Sequence, residues 1–592
     1  MLFTKQARVV VPLLALALGA AACGGGGATT DGPGTSSGPT AEAKKGGTLK
    51  VLSEEDFTAY DTAPAYDTNT YHLLRVTDRQ LYTNMSGEDD ARTDMIPDLA
   101  AELPEITEDG TLYTMTLKDN VQWNTTPARA ITTADAIRGF QFMCNPDDPF
   151  GAPGYFTDTI VGYKQFCDGF AQVATGDVAA TKAYVEGNTI SGITAVDDKT
   201  LTIKLTKPAA DFIHLIALPT VSPRPVEAVQ YLADSPEYRM NKIESGPYQV
   251  ESYVPDTSLT LTRNPAWIAE SDTVRPANVD QIDMTFGIST ENIQQQIDAG
   301  TADLAVGNTA PPAAALSQIP ETDERLELNS TGGLNPYAVF NTLGGKEALK
   351  NKEVRAALNY AANKRNIVQV LGGTKVASPG TQILPPSVVG EGHERQDIYA
   401  TPDSAGDPER AKQMLADAGF PNLELIMAFR ASGNGPAIAA TMQEDYAKAG
   451  VTLTLLPQPN KDFYSNFIQK TAIAESGAWD IALPGWSPDW EGASERSFFT
   501  PLLDGRVYSD GSTNYGKYDN PAVNTAADAA LSAPDQASSA QQWNAIDKTV
   551  MEDAPWIPLI EQTQANFHSD RVDGFAYYFS ASNGDLANFF IK

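Results

Sequence analysis

From about residue 335 onward, strand signals and helix signals take turns along the chain, and that alternation limits the fold more than any other feature. Asn351 can cap a helix that sets Val354, Leu358 and Ala361 on one face, with Gly372-Gly373 to stop it. Asp407-Pro408-Glu409 opens another helix. Asp sits at the cap, Pro at the first helical position, and Glu where the helix dipole favours an acid. Gly419 ends that helix, and residues 423–428 (LELIMA) follow as a strand. A third helix over about 436–448 stops at Gly450, before a strand at 451–455 (VTLTL). The pattern predicts an α/β lobe with a largely buried sheet.

Upstream the texture is richer in hairpins. Residues 47–52 (GTLKVL) read as a first strand opened by glycine, and residues 111–117 alternate after an Asp109-Gly110 turn. Thr133 reads as an N-cap, with Ala136, Phe140 and Met143 on one helical face. Residues 193–196 and 201–205 form a hairpin pattern around Asp197-Asp198, and 245–250 with 259–262 form another pair. The body after residue 46 is too long for a single core, so two or three domains are expected.

The N-terminus sets the compartment. Lys5 and Arg8 precede residues 9–22 (VVVPLLALALGAAA), an apolar run too short to span ~30 Å of hydrocarbon, and residues 1–22 read as an export signal. Cys23 follows, and its surroundings resemble a bacterial lipobox, in which the cysteine becomes the lipidated first residue. Ala20 stands where such boxes usually carry Leu, Val or Ile. The same residues also fit an ordinary A-x-A cleavage site with an unpaired thiol at Cys23. Residues 24–46, mostly Gly, Ser, Thr, Pro and Ala, cannot bury enough apolar surface to order themselves and read as a tether. With 23–46 as anchor and tether, the expected place is the outer face of the bacterial cytoplasmic membrane, held by acyl chains such as palmitate.

The formal charge of −33 becomes more negative once Lys5 and Arg8 leave with the signal. It argues against a nucleic-acid partner and against adhesion to anionic lipid, so membrane contact has to come through the lipid. Two cysteines remain, Cys144 and Cys167. In an oxidising compartment a disulfide between them is the natural pairing, worth about 3 kcal/mol in the chain-entropy model, and two buried thiols are the alternative.

Several segments, in order, resemble the extracytoplasmic solute-binding proteins of peptide and nickel ABC importers (bacterial extracellular solute-binding protein family 5). Residues 97–100 (PDLA) with 107–113 (TEDGTLY) are similar to the family's "PDLAE…DGLTYTF" segment. Val121-Gln122-Trp123 and residues 132–135 resemble its next strand and helix start, and residues 245–248 (SGPY) with 263–265 (RNP) resemble its "GPY…RNP" pair. Residues 353–358 (EVRAAL) and 553–558 (DAPWIP) match two more stretches. Asn124-Thr125-Thr126-Pro127 departs from the family's "FHDG.P", which weakens any ligand role for that loop. The resemblance implies a type II, two-lobe periplasmic-binding-protein-like α/β fold of the large kind, with an extra subdomain in the first lobe. Lobe I would be 47–79, 191–325 and 561–592, the inserted subdomain 80–190, and lobe II 326–560.

It also implies a site between the lobes. Residues 485–490 (GWSPDW) resemble the segment that crosses the cleft, where an aspartate in peptide-binding members pairs with the ligand's α-amino group, and Asp489 matches that position. A carboxylate in a water-poor cleft makes a strong charge-assisted bond to an ammonium. Trp486, Pro488 and Trp490 are the candidate apolar walls. Tyr60-Asp61 resemble the family's "LDP" stretch at the cleft edge, and Tyr337 to Asn341 the segment that offers backbone and amide groups to ligand. A solvated loop carboxylate, lobe core, a surface loop and a buried strand are the plain alternatives for these positions.

Catalytic signatures are absent: no G-x-S-x-G, P-loop, H-E-x-x-H or C-x-x-C occurs. His72, His214, His393 and His568 lie far apart in sequence, and no metal or cofactor is expected. The reading is therefore a non-enzymatic, monomeric substrate-binding lipoprotein that captures peptide and delivers it to an ABC permease. Another solute on the same fold (a sugar or nickel complex) and a secreted glycan hydrolase are the alternatives.

Overall fold

In the computed structural model the described residues are 43–592, apart from 88–93, 308, 391, 432, 460–461, 509–511 and 534. The export signal, Cys23 and most of the tether lie outside them. Gly46 and Gly47 adopt φ of +106° and +86°, a backbone that favours glycine, and turn the chain into the strand Thr48–Leu52. That strand lies inside a five-stranded sheet, between Gln281–Thr285 and Leu304–Ala305, both parallel to it. Tyr248–Val254 and Ser258–Arg263 extend the sheet as an antiparallel hairpin. Leu49, Val51, Leu259, Leu261 and Ile282 fill the core beneath.

The inserted subdomain is built on an antiparallel sheet ordered Glu105–Thr107, Leu112–Thr116, Thr200–Lys204, Ile193–Ala195. Tyr113, Met115, Leu201 and Ile203 alternate into one core with Phe140, Phe156 and Phe170. The sheet crosses position 190, where the insertion was expected to end. The hairpin at 193–204 buries its apolar face on the strand Leu112–Thr116, and the same core takes in Phe212, Leu215 and Val229. The insertion's first long helix, Thr133–Phe142, is capped one residue earlier than expected. Thr132 and Asp135 form the capping box, and Ala136, Phe140 and Met143 are buried as predicted. Cys144 and Cys167 are bonded, with Cα atoms 5.2 Å apart, joining the end of this helix to the helix Tyr163–Phe170.

The second lobe carries a sheet ordered Val451–Gln458, Leu423–Arg430, Ile481–Ala482, Ala338–Phe340, Trp556–Ile557. The first three strands are parallel, and the helix Gly435–Lys448 makes the crossover between Leu423–Arg430 and Val451–Gln458. The Asn351 side chain accepts from Glu353 N, and the Asp407 side chain from Arg410 N, as the cap signals predict. The helix expected to run to Gly372 is two helices, Lys352–Ala361 and Lys364–Leu371. Asn363 interrupts them by capping the second through Asn366 N, a local bond that competes with continued helix. Between the two large sheets, the antiparallel pair Leu326–Ser330 and Ile560–Phe567 carries the chain from the first lobe to the second and back.

Candidate functional site

The cavity that holds Asp489 is about 250 Å³ and is lined from both lobes. Asp489 follows the buried strand Ile481–Ala482 on the loop 483–494 and is half-buried. Tyr66, just before the helix Thr68–Thr77, donates its hydroxyl to Asp489 Oδ2 at 2.9 Å. Tyr155, on the short helix Gly154–Thr157 of the insertion, donates to the same oxygen. Three segments far apart in sequence thus meet on one carboxylate. Burial pushes Asp489 up to about 6, against the downward pull of the Tyr155 and Tyr66 hydrogen bonds. Burial and the neighbouring carboxylate push both phenols far up, so they remain donors. Among the described residues no cation pairs with Asp489.

Trp486 and Pro488 line the same cavity. Trp486 is pinned by two backbone bonds with Leu334, at 2.9 and 3.0 Å, and by its indole N–H to Ser497 O at 2.9 Å. Its ring is half-buried at the cavity wall. Trp490, expected to be another wall, lines neither this cavity nor the next. It is 3 % exposed, belongs to the insertion's core, and packs edge-on to Tyr155 at 5.9 Å and flat against His214 at 6.1 Å. Its contact is with Tyr155, and through it with Asp489.

The other expected ligand residues have their side chains engaged within the protein. Asp61 is completely buried and both its oxygens take the Arg224 guanidinium, which also lies over the Phe142 ring at 4.1 Å. Tyr60 is covered by Tyr253, at 4.6 Å between ring centres, and by Arg239 at 4.8 Å. Asn341 spends its amide on Ala474 O, Trp479 O, Leu343 N and Gly344 N, which shapes the turn after Ala338–Phe340. Tyr337 is buried against Trp556, 4.1 Å away. A family position at a cleft edge does not fix where a side chain points, and here packing turns these four inward.

Arg430 is the site residue that sequence reasoning missed. It ends the strand Leu423–Arg430, lines the Asp489 cavity, and donates from Nη2 to Asn335 Oδ1 at 2.8 Å. It makes no ion pair with a carboxylate among the described residues, in a chain with 75 acids. The signal was available: ligands of open α/β sheets bind outside the carboxyl ends of the parallel strands, and Arg430 is the last residue of one. Arg430 and Asn335 also line a second cavity of about 640 Å³, bounded by Glu54 and by the strand Ile560–Phe567. Among the described residues no group of three or more His, Cys, Asp or Glu could hold a metal ion, and no helix is long and apolar enough to cross a membrane.

Two lobes joined by two crossing strands, with a polar cleft between them, define the class: a type II periplasmic binding protein. A solved structure of the same class, clavulanic acid biosynthesis oligopeptide binding protein 2, matches with a TM-score of 0.82 and 25 % identity, over 93 % of this chain and 96 % of that one. The model of the bacterial extracellular solute-binding proteins, family 5, matches residues 94–507, and the chain belongs to that family. Curated relatives include heme-binding protein A of Haemophilus influenzae, 26 % identical over 84 % of each chain. Di/tripeptide-binding protein 4 of Pseudomonas aeruginosa is also 26 % identical, over 84 % of this chain and 87 % of its own. The family comprises extracytoplasmic substrate-binding proteins.

Proposed function

We propose that this chain is the substrate-binding component of an ABC importer and captures peptides in the cleft between its lobes. The observation that carries the reading is the pair of opposite charges on one cavity. Asp489 is burdened by burial with only two phenols to hold it, and Arg430 has only an amide. An ammonium at Asp489 and a carboxylate or carbonyl at Arg430 would complete both groups, and a zwitterionic peptide supplies both. Trp486 gives an apolar wall that is indifferent to side-chain identity. The relatives named for peptides point the same way. The protein performs no chemistry. It works as a monomer that closes and opens by hinge motion at the crossing strands and is tethered through a lipid on Cys23 beside its permease. Native mass spectrometry of the purified protein tests the ligand: a set of co-purified peptides is expected, and a single bound heme, sugar or metal chelate overturns the reading.

A further inference from the structure

The chain passes between the lobes at Leu326–Ser330 and Ile560–Phe567, so residues 48–325 lie on one side of the hinge and residues 331–559 on the other. A buried ion pair spans that division. Arg496, in the first turn of the helix Glu495–Leu503, is 6 % exposed, and Asp211, just before the helix Phe212–Leu215, is 5 % exposed. Arg496 Nη1 lies 3.4 Å from Asp211 Oδ1, and Nη2 donates to Thr159 Oγ1 at 2.6 Å. The same guanidinium faces the Tyr155 ring at 5.8 Å, and Tyr155 is one of the two phenols on Asp489. Beside the pair, Ala210 N donates to Leu531 O across the seam at 3.2 Å, and on the exposed rim Lys207 meets Asp528 at 3.0 Å.

The pair is incomplete. Arg496 Nε and Asp211 Oδ2 are buried with no hydrogen-bond partner among the described residues, and the Asp211 side chain makes no cap bond to its own helix. A void of about 90 Å³ remains in the seam, lined by Thr159, Lys207, Arg496 and Asp528 among others, where a well-packed interior leaves few. Removing two charges from water is offset only by good geometry and full hydrogen bonding, and here both fall short. The apolar part of the seam acts in the opposite sense. Trp490 belongs to the second lobe and is buried on the other side of the hinge, against Tyr155 and His214, which favours closure. We propose that Arg496 and Asp211 are positioning residues forming a weak latch across the cleft: they hold Tyr155 in place against Asp489 while the lobes are shut, and their incomplete pairing lets the lobes part. Either charge alone would disfavour the closed form, because it would be buried there unpaired and hydrated once the lobes separate. Removing both charges would leave Trp490 to hold the seam without that opposition.

Hydrogen exchange of the ligand-free protein tests this, and its outcome does not depend on the peptide reading. The Ala210 N–H is bonded across the seam and reports separation of the lobes, whereas the amides of the strand Thr48–Leu52 report unfolding of the first lobe. Wild type, Arg496→Met, Asp211→Leu and the double variant are compared at neutral pH, with the rate at Ala210 corrected for the side chain next to it. Each single variant is expected to speed exchange at Ala210 at least about tenfold, and the double variant to return it to the wild-type rate or below. The strand is expected to exchange alike in all four proteins. A single variant that leaves Ala210 unchanged overturns the latch, and so does a double variant as fast as the faster single one. Equal acceleration at Ala210 and in the strand also overturns it, because the pair would then hold the fold together rather than the seam.

Discussion

Replacing Asp489 by Asn separates a carboxylate kept in reserve for a ligand from one that stabilises the fold. An ordinary aspartate titrates near 3.9, and burial raises Asp489 to about 6. Above pH 6 the folded protein carries a poorly solvated charge that the unfolded chain carries in water. At about 1.36 kcal/mol per pH unit, this disfavours folding by up to about 3 kcal/mol. The group is only half-buried, so solvent screening brings the expected figure to about 1–3 kcal/mol. The sign follows from the direction: as pH falls through 6 the folded form takes up a proton first, and near 4 the penalty is almost gone. Asp489→Asn is therefore expected to stabilise the ligand-free protein by about 1–3 kcal/mol at pH 8 and by under about 1 kcal/mol at pH 4.5. Urea unfolding of ligand-stripped protein at the two pH values reads this directly. A variant less stable than wild type at pH 8 refutes the reasoning, because it would mean that the phenols of Tyr66 and Tyr155 already satisfy the charge.

Asp61→Ala should lower stability by about 3–5 kcal/mol, since it strands Arg224 as a buried charge, and should leave peptide affinity unchanged in the folded fraction. Loss of affinity without loss of stability would return Asp61 to the ligand site. Replacing Cys144 and Cys167 together by Ala should lower the urea midpoint by an amount equivalent to about 2–4 kcal/mol and leave affinity intact, and two titratable thiols in denatured, unreduced wild type would contradict the bond. Cys23→Ala should release the protein into the medium of the producing cells, and continued retention at the membrane would count against lipidation.

What could be read ahead of the structure was local. The caps at Asn351 and Asp407, the stop at Gly419 and the alternation within residues 111–117 each depend on neighbours a few positions away, and each has its place in the fold. Asp489, Trp486 and Pro488 came from a family segment read as one unit, and they do share a cavity. What escaped depends on distant partners. The strand Thr200–Lys204 pairs with Leu112–Thr116, and no feature of either announces the other. Asp61 meets Arg224 163 positions away, and Tyr155 meets Asp489 334 positions away. Tyr60 and Asn341 carry the right chemistry for a cleft, but Tyr60 is covered by Tyr253 and Arg239, and Asn341 bonds the backbone around it. Arg430 looks like any of the 42 Lys and Arg residues until the parallel order of its sheet is known.

The central claim is that Asp489 binds the α-amino group of a peptide. Calorimetric titration of one neutral pentapeptide, with its N-terminus free and with it acetylated, into wild type and Asp489→Asn tests this most directly. A charge-assisted bond of about 1.5–3 kcal/mol predicts that acetylation weakens binding to wild type by roughly 10- to 150-fold and has little further effect on the variant. Equal affinity of the wild type for the free and the acetylated peptide would contradict the account.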